Sequence, residues 1–117
     1  MKIFVYGTLM SDDYNHSVIS EGNCKFLKKA ITKRKFTLYD LGGFPGMVKG
    51  GNNSIIGEVH EVCSETIRRM DILEGHPQFY RRSLIELQCG EKVQTYILDK
   101  GYVKGCPIIK SGSWKNK

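Results

Sequence analysis

The apolar positions of this chain come in short runs broken by glycine, and the spacing within each run changes along the sequence. "KIFVY" is apolar apart from Lys2 and stops at Gly7, which predicts a strand over residues 2–6. Residues 24–31 and 34–41 read as two more strands; in the second, Phe36 and Leu38 share one face while Tyr39 and Leu41 share the other. "IIGEVHEV" predicts a strand from Ile55 to Val62, and two further strands are expected at 80–88 and 92–99 around a tight turn at Cys89-Gly90-Glu91. Two segments change period. Residues 11–20 suit a short helix capped by Ser11, with Asp12 and Asp13 in its first turn. After an N-cap at Ser64, Ile67, Met70 and Leu73 recur every third residue, which predicts a helix with one buried stripe against exposed Arg68 and Arg69, ended by Gly75 and Pro77. "GGFPG", Gly42 to Gly46, reads as a turn or loop, Gly50 to Ser54 as a hairpin turn, and the tail from Gly101 as loop.

About six strands and two helices joined by short turns predict an α+β fold with a largely antiparallel sheet. Periodicity leaves open whether that sheet closes into a barrel. A length of 117 residues predicts one domain over 1–117, and 40% apolar with 26% charged residues is ordinary for a globular protein. No apolar run approaches the roughly 20 residues of a membrane span. The apolar stretch before Gly7 is too short for a secretion signal, so a cytoplasmic protein is expected.

Four scattered cysteines without a C-x-x-C pair then read as reduced thiols. His60 and Cys63 have a metal-like spacing but lack a second ligand pair, so His60 is read as part of a polar strand face and no metal is expected. The net charge of +6, densest from Lys25 to Lys35 and again toward Lys117, raises a nucleic-acid hypothesis. No recognition motif accompanies the charge. A solvated basic face is the reading preferred, with no specific nucleic acid as partner.

Two short stretches carry the chemistry. "VYGTL" places Gly7 directly after a strand, where successive backbone N–H groups can form an anion or oxyanion nest; for the pentapeptide alone a plain turn is the better reading. In "MDILEGHP", Glu74 stands on the last helical turn, where the dipole disfavours a negative charge.

Taken together, "VYGTL", "GGFPGMV", "GEVHEVCSETIRRMDILEGHPQFYRR" and "PIIKSGSW" resemble, in order and across nearly the whole chain, the gamma-glutamylcyclotransferase-like family, including its small bacterial and gamma-glutamylamine members. Asp-x-x-Glu-Gly-x-Pro followed by Tyr-x-Arg is the most specific part. The resemblance implies a small, mixed, barrel-like α+β fold with about two flanking helices, and a pocket built by the "YGTL" loop. It implies conversion of a gamma-glutamyl amide to 5-oxoproline and an amine, with Glu74 as general acid/base and Tyr6, Gly7, Thr8, Leu9 and Tyr80 around the substrate. No cofactor is implied. The partner is a small gamma-glutamyl molecule, and the chain is expected as a monomer or small homo-oligomer. Arg82 matches the family's arginine and is read as structural, while Tyr96 and Trp114 are candidates for the leaving-group side. Asp71 is read as solvent-facing. Ser113 replaces the aspartate common in the closing segment. A catalytically silent binding or regulatory domain of the same fold is the main alternative, since fold does not fix function; a basic nucleic-acid-associated protein is the other.

Overall fold

A computed structural model describes residues 1–117. The elements are β1 (Lys2–Val5), α1 (Ser17–Ser20), β2 (Lys25–Ile31), β3 (Phe36–Asp40), β4 (Pro45–Lys49), β5 (Ile56–Glu61), α2 (Ser64–Glu74), β6 (Arg81–Glu86) and β7 (Lys92–Ile97), followed by a 3₁₀ turn at Lys100–Val103. Five strands form one sheet in the order β2-β5-β1-β7-β6, and β3 pairs with β4 in a separate two-stranded sheet. Every pairing is antiparallel except β1 with β7. The two edge strands meet only beyond their ends. There, a Thr32–Leu87 bridge and hydrogen bonds from Lys33 N–H to the Glu86 carbonyl (3.2 Å) and from Gln88 N–H to the Ile31 carbonyl (2.9 Å) tie them together. The large sheet therefore curls toward a barrel without closing.

The alternation in "KIFVY" explains the position of β1 at the sheet centre. Ile3 and Val5 pack into one apolar cluster with Ile67, Met70 and Tyr96, while Phe4 and Tyr6 pack into a second with Leu38, Met47 and Val59. Both faces of β1 are covered, so the strand reads as an unbroken apolar run. Phe36 and Leu38 join the second cluster and Tyr39 and Leu41 pack on the first, as their two-residue period requires. On α2, Ile67 and Met70 are buried and Gly75 takes a left-handed φ of 66° that ends the helix. Replacing fully buried Met70 with Ala would remove packing worth roughly 2–5 kcal/mol.

Several local expectations need correction. The helix expected over 11–20 is confined to Ser17–Ser20, and residues 11–16 form turns. Ser11 caps no helix; its N–H and hydroxyl both donate to the Glu58 carboxylate, at 2.9 and 3.1 Å. Pro45 and Gly46 begin a seventh strand, because burial of Met47 and Val48 against the two clusters outweighs their poor strand propensity. The hairpin loop is consequently residues 41–44, between β3 and β4, whereas Gly50–Ser54 connects two different sheets. The N-cap of α2 is Cys63 rather than Ser64. Leu73, expected in the buried stripe, is 43% exposed. No helix is long and apolar enough to cross a membrane.

Candidate active site

A cavity of about 260 Å³ opens where β1 ends. Tyr6, Gly7, Thr8 and Leu9, where the chain leaves the central strand, line it together with Glu74, Tyr80 and Tyr96. The turn at the helix end brings Glu74 and Tyr80 together. His76 N–H donates to the Asp71 carbonyl (2.9 Å), Phe79 N–H to that of Gly75 (2.8 Å) and Tyr80 N–H to that of Glu74 (3.2 Å), folding residues 75–80 back onto α2. All six residues expected around the substrate, Glu74 with Tyr6, Gly7, Thr8, Leu9 and Tyr80, line this one cavity.

Glu74 is half-buried, and no donor in the protein bonds its carboxylate. Burial alone lifts its pKa from the ordinary 4.5 to about 7. Buried Tyr6, Tyr80 and Tyr96 have raised pKa values, chiefly through burial, and the nearby Glu74 charge adds to each shift. The backbone N–H groups of Gly7, Thr8 and Leu9, residues that line the same cavity, have no hydrogen-bond partner within the protein. Gly7 is required by close packing, since a Cβ there would stand 2.7 Å from Pro45 Cγ. Three successive unpaired donors and an unpaired carboxylate of raised proton affinity in one cavity can hold an oxyanion and move a proton.

The phenol hydroxyls are engaged elsewhere. Tyr6 donates to the Tyr96 carbonyl (2.6 Å) and accepts from Met47 N–H (3.1 Å), and Tyr80 donates to the Pro45 carbonyl. Both rings therefore shape the wall and tie β1 and the helix end to β4. Tyr96 does line the cavity, but its hydroxyl donates outward to Asp71 Oδ1 at 2.7 Å. Asp71 is not solvent-facing. Arg82 grips both its oxygens, Nε to Oδ1 and Nη2 to Oδ2, each at 3.1 Å. Burial would raise the Asp71 pKa, but these bonds and the Arg82 charge outweigh it and hold the carboxyl below its usual range. Arg82 is thus a brace between α2 and β6, one turn before Glu74. Trp114 lies outside the cavity, packed against both apolar clusters with Lys117 Nζ 3.3 Å above its ring. Ser113, at the position usual for aspartate, is buried in the tail.

His60 shares one face of β5 with Glu58, a polar face that is buried rather than solvated. Its Nε2 lies 3.0 Å from Glu58 Oε1, while Cys63 is exposed beside Thr66, so the two do not converge. Glu58 in turn anchors Ser11 at the far end of the cavity loop. Reading the sequence missed the rest of the lining, Phe4, Val5, Tyr14, Asn15, Phe44, Pro45, Leu73 and Phe79. Phe44 and Phe79 stood inside stretches already singled out, "GGFPG" and "GEVHEVCSETIRRMDILEGHPQFYRR"; Tyr14 and Asn15 were hidden by the expected helix.

The chain as a whole has known counterparts. Residues 3–116 match the family described as "Gamma-glutamyl cyclotransferase, AIG2-like". MJ1514 of Methanocaldococcus jannaschii, provisionally named a gamma-glutamylcyclotransferase, is 36% identical over 118 residues, covering 97% of this chain and 95% of the relative. The solution structure of Escherichia coli ytfP superposes with a TM-score of 0.74 at 32% identity over the whole of both chains. The crystal structure of a mouse AIG2-like protein gives a TM-score of 0.75 at 28% identity, with 94% of this chain and 86% of the mouse chain covered. With a match that runs from β1 through the C-terminal tail, this chain belongs to the AIG2-like gamma-glutamyl cyclotransferase family.

Proposed function

We propose that this protein cyclises a gamma-glutamyl amide to 5-oxoproline and releases an amine, with Glu74 as the proton-transfer group. The observation that carries this reading is the unpaired, half-buried Glu74 carboxylate in one cavity with the free N–H groups of Gly7, Thr8 and Leu9. Family membership supports the activity, and the physical chemistry supplies the roles.

A substrate α-ammonium is not nucleophilic until it loses a proton. Glu74, with a pKa near 7, accepts that proton far better than an ordinary carboxylate. The freed nitrogen attacks the γ-carbonyl of its own side chain, and the N–Cγ bond of the five-membered ring forms. The negative charge that develops on the carbonyl oxygen is held by backbone N–H groups of the Gly7–Leu9 turn. The bond from Cγ to the departing nitrogen then breaks. Over the reaction the α-nitrogen gives up two protons and the departing nitrogen gains two, leaving as an ammonium; Glu74 relays them. Nucleophile and electrophile belong to one molecule, so the protein's task is to hold a folded substrate and transfer protons. The test is 5-oxoproline release from a panel of gamma-glutamyl amides, run in parallel with Glu74→Gln. Absence of turnover across the panel would leave the silent binding domain as the better reading.

A further inference from the structure

Among the hydroxyl groups of residues that line the cavity, one differs from the rest. The phenols of Tyr6, Tyr14, Tyr80 and Tyr96 each donate to an acceptor within the protein, a backbone carbonyl or the Asp71 carboxylate. The Thr8 hydroxyl only accepts. Asn15 Nδ2 donates to its Oγ1 at 2.9 Å, and the hydroxyl's own proton has no acceptor in the protein. Thr8 is buried (8% exposed), so that proton is met by what the cavity holds rather than by bulk solvent. A buried donor without an acceptor is costly, and an acceptor on a ligand removes the cost. Asn15 also fixes the main chain of the same residue. Its backbone N–H donates to the Thr8 carbonyl at 3.0 Å, so Asn15 holds Thr8 by side chain and main chain together. In a trans peptide the carbonyl and the next N–H point in opposite directions, and this bond therefore turns the Leu9 N–H away from Asn15. The Gly7 carbonyl accepts from Met10 N–H at 3.0 Å, which fixes the Thr8 N–H in the same way.

We propose that the Thr8 hydroxyl is a further hydrogen-bond donor to the reacting γ-carbonyl oxygen, beside the free N–H groups of Gly7–Leu9, and that Asn15 is the residue that positions it. This rests on the cyclotransferase reading and adds two side chains to it. The Asn15 amide occupies one lone pair of Oγ1 as a donor, so the hydroxyl cannot give its proton to that partner and is left to give it to the substrate. Thr8 N–H and Thr8 Oγ1 belong to one residue, and an oxygen held by the Thr8 and Leu9 N–H groups is the acceptor within reach of both. Its charge grows as the ring closes, so the bond from Oγ1 strengthens in the transition state rather than on binding. The hydroxyl keeps its hydrogen throughout, and Glu74 remains the group that moves protons.

The test is a set of initial-rate measurements, per folded molecule, with a gamma-glutamyl amide that the wild type turns over. Thr8→Val keeps the shape and removes the hydroxyl. It should lower kcat at least about tenfold, toward the order of 10²–10³ seen when one oxyanion donor is lost, with KM little changed. Thr8→Ser restores the hydroxyl and should recover most of that loss. Asn15→Asp keeps the shape but replaces the amide donor by an acceptor, which draws the Thr8 proton to itself, so kcat should fall about as far as in Thr8→Val. Adding Asn15→Asp to Thr8→Val should then cost little more, because both act through one hydroxyl. Near wild-type kcat for Thr8→Val, or a loss confined to KM, overturns the proposal and leaves the role of Glu74 standing. Full additivity of the two changes would show that the new carboxylate acts by its charge, and would refute the positioning role of Asn15. No 5-oxoproline from the wild type with any gamma-glutamyl amide overturns the cyclotransferase reading and this proposal together.

Discussion

Glu74→Gln should abolish turnover and, at alkaline pH, make the protein more stable. The two effects share one cause, burial of a carboxylate without a partner. Below the ordinary pKa of 4.5 the group is protonated in folded and unfolded chains alike and contributes no difference. Between 4.5 and about 7 the folded protein retains a proton that the unfolded chain has released, so stability falls as pH rises. Above about 7 the folded state carries the buried charge and the penalty is complete. A pKa raised from 4.5 to about 7 corresponds to a penalty of about 3 kcal/mol. Glutamine keeps the shape and removes the charge, so Glu74→Gln recovers up to that amount at about pH 8 and little of it at about pH 5, less whatever the neutral amide costs in the same site. The proton relay is lost at every pH, with a rate decrease on the order of 10²–10⁴ or more. Urea denaturation of wild type and variant at both pH values, together with 5-oxoproline release, separates the outcomes. A stability difference that does not change with pH would show that Glu74 carries no buried charge, and near wild-type turnover by the variant would sink its role as base.

The remaining expectations follow from the same geometry. The kcat/KM of the wild type should rise with pH through about 7, following ionisation of Glu74; a break near the ordinary carboxylate value would contradict the burial argument. Asp71→Asn removes the bidentate clasp on Arg82, leaves the Tyr96 hydroxyl a weaker acceptor and should cost roughly 1–3 kcal/mol, measured by denaturation. Its effect on turnover per folded molecule should be smaller than that of Glu74→Gln; the reverse order would make Asp71, not Glu74, the central carboxylate. Gly7→Ala drives a methyl into Pro45 and should shift the donor turn, lowering kcat more than melting temperature; an unchanged kcat would remove the Gly7–Leu9 donors from the mechanism. Glu58→Gln weakens the anchor on Ser11 and should raise KM with the conservative shape retained, read from initial rates with a gamma-glutamyl amide that the wild type turns over; an unaltered KM would show that the loop holds its position without it.

Local order carried a large part of this protein. The alternation in Phe36 to Leu41, the apolar run of β1, and the Ile67–Met70 stripe ended by Gly75 all concern residues close in sequence, where one period or one left-handed φ decides the outcome. The roles of "YGTL" and Glu74 came instead from the order of four motifs across nearly the whole chain, since neither stretch decides its chemistry alone. Long-range packing decided the rest. Pro45 and Gly46 read as a turn by propensity, and only burial of Met47 and Val48 between two apolar clusters makes them a strand. Leu73 follows the helical stripe in sequence, yet at its height on α2 a cavity mouth replaces the core. Asp71 looked like a surface carboxylate because its partners, Arg82 and Tyr96, lie 11 and 25 residues away. Glu74 was visible as an oddity, a charge at the wrong end of a helix. Its raised proton affinity and the free donors in its cavity exist only once β1 and α2 are folded against each other, because desolvation is a property of the assembled cavity rather than of any segment.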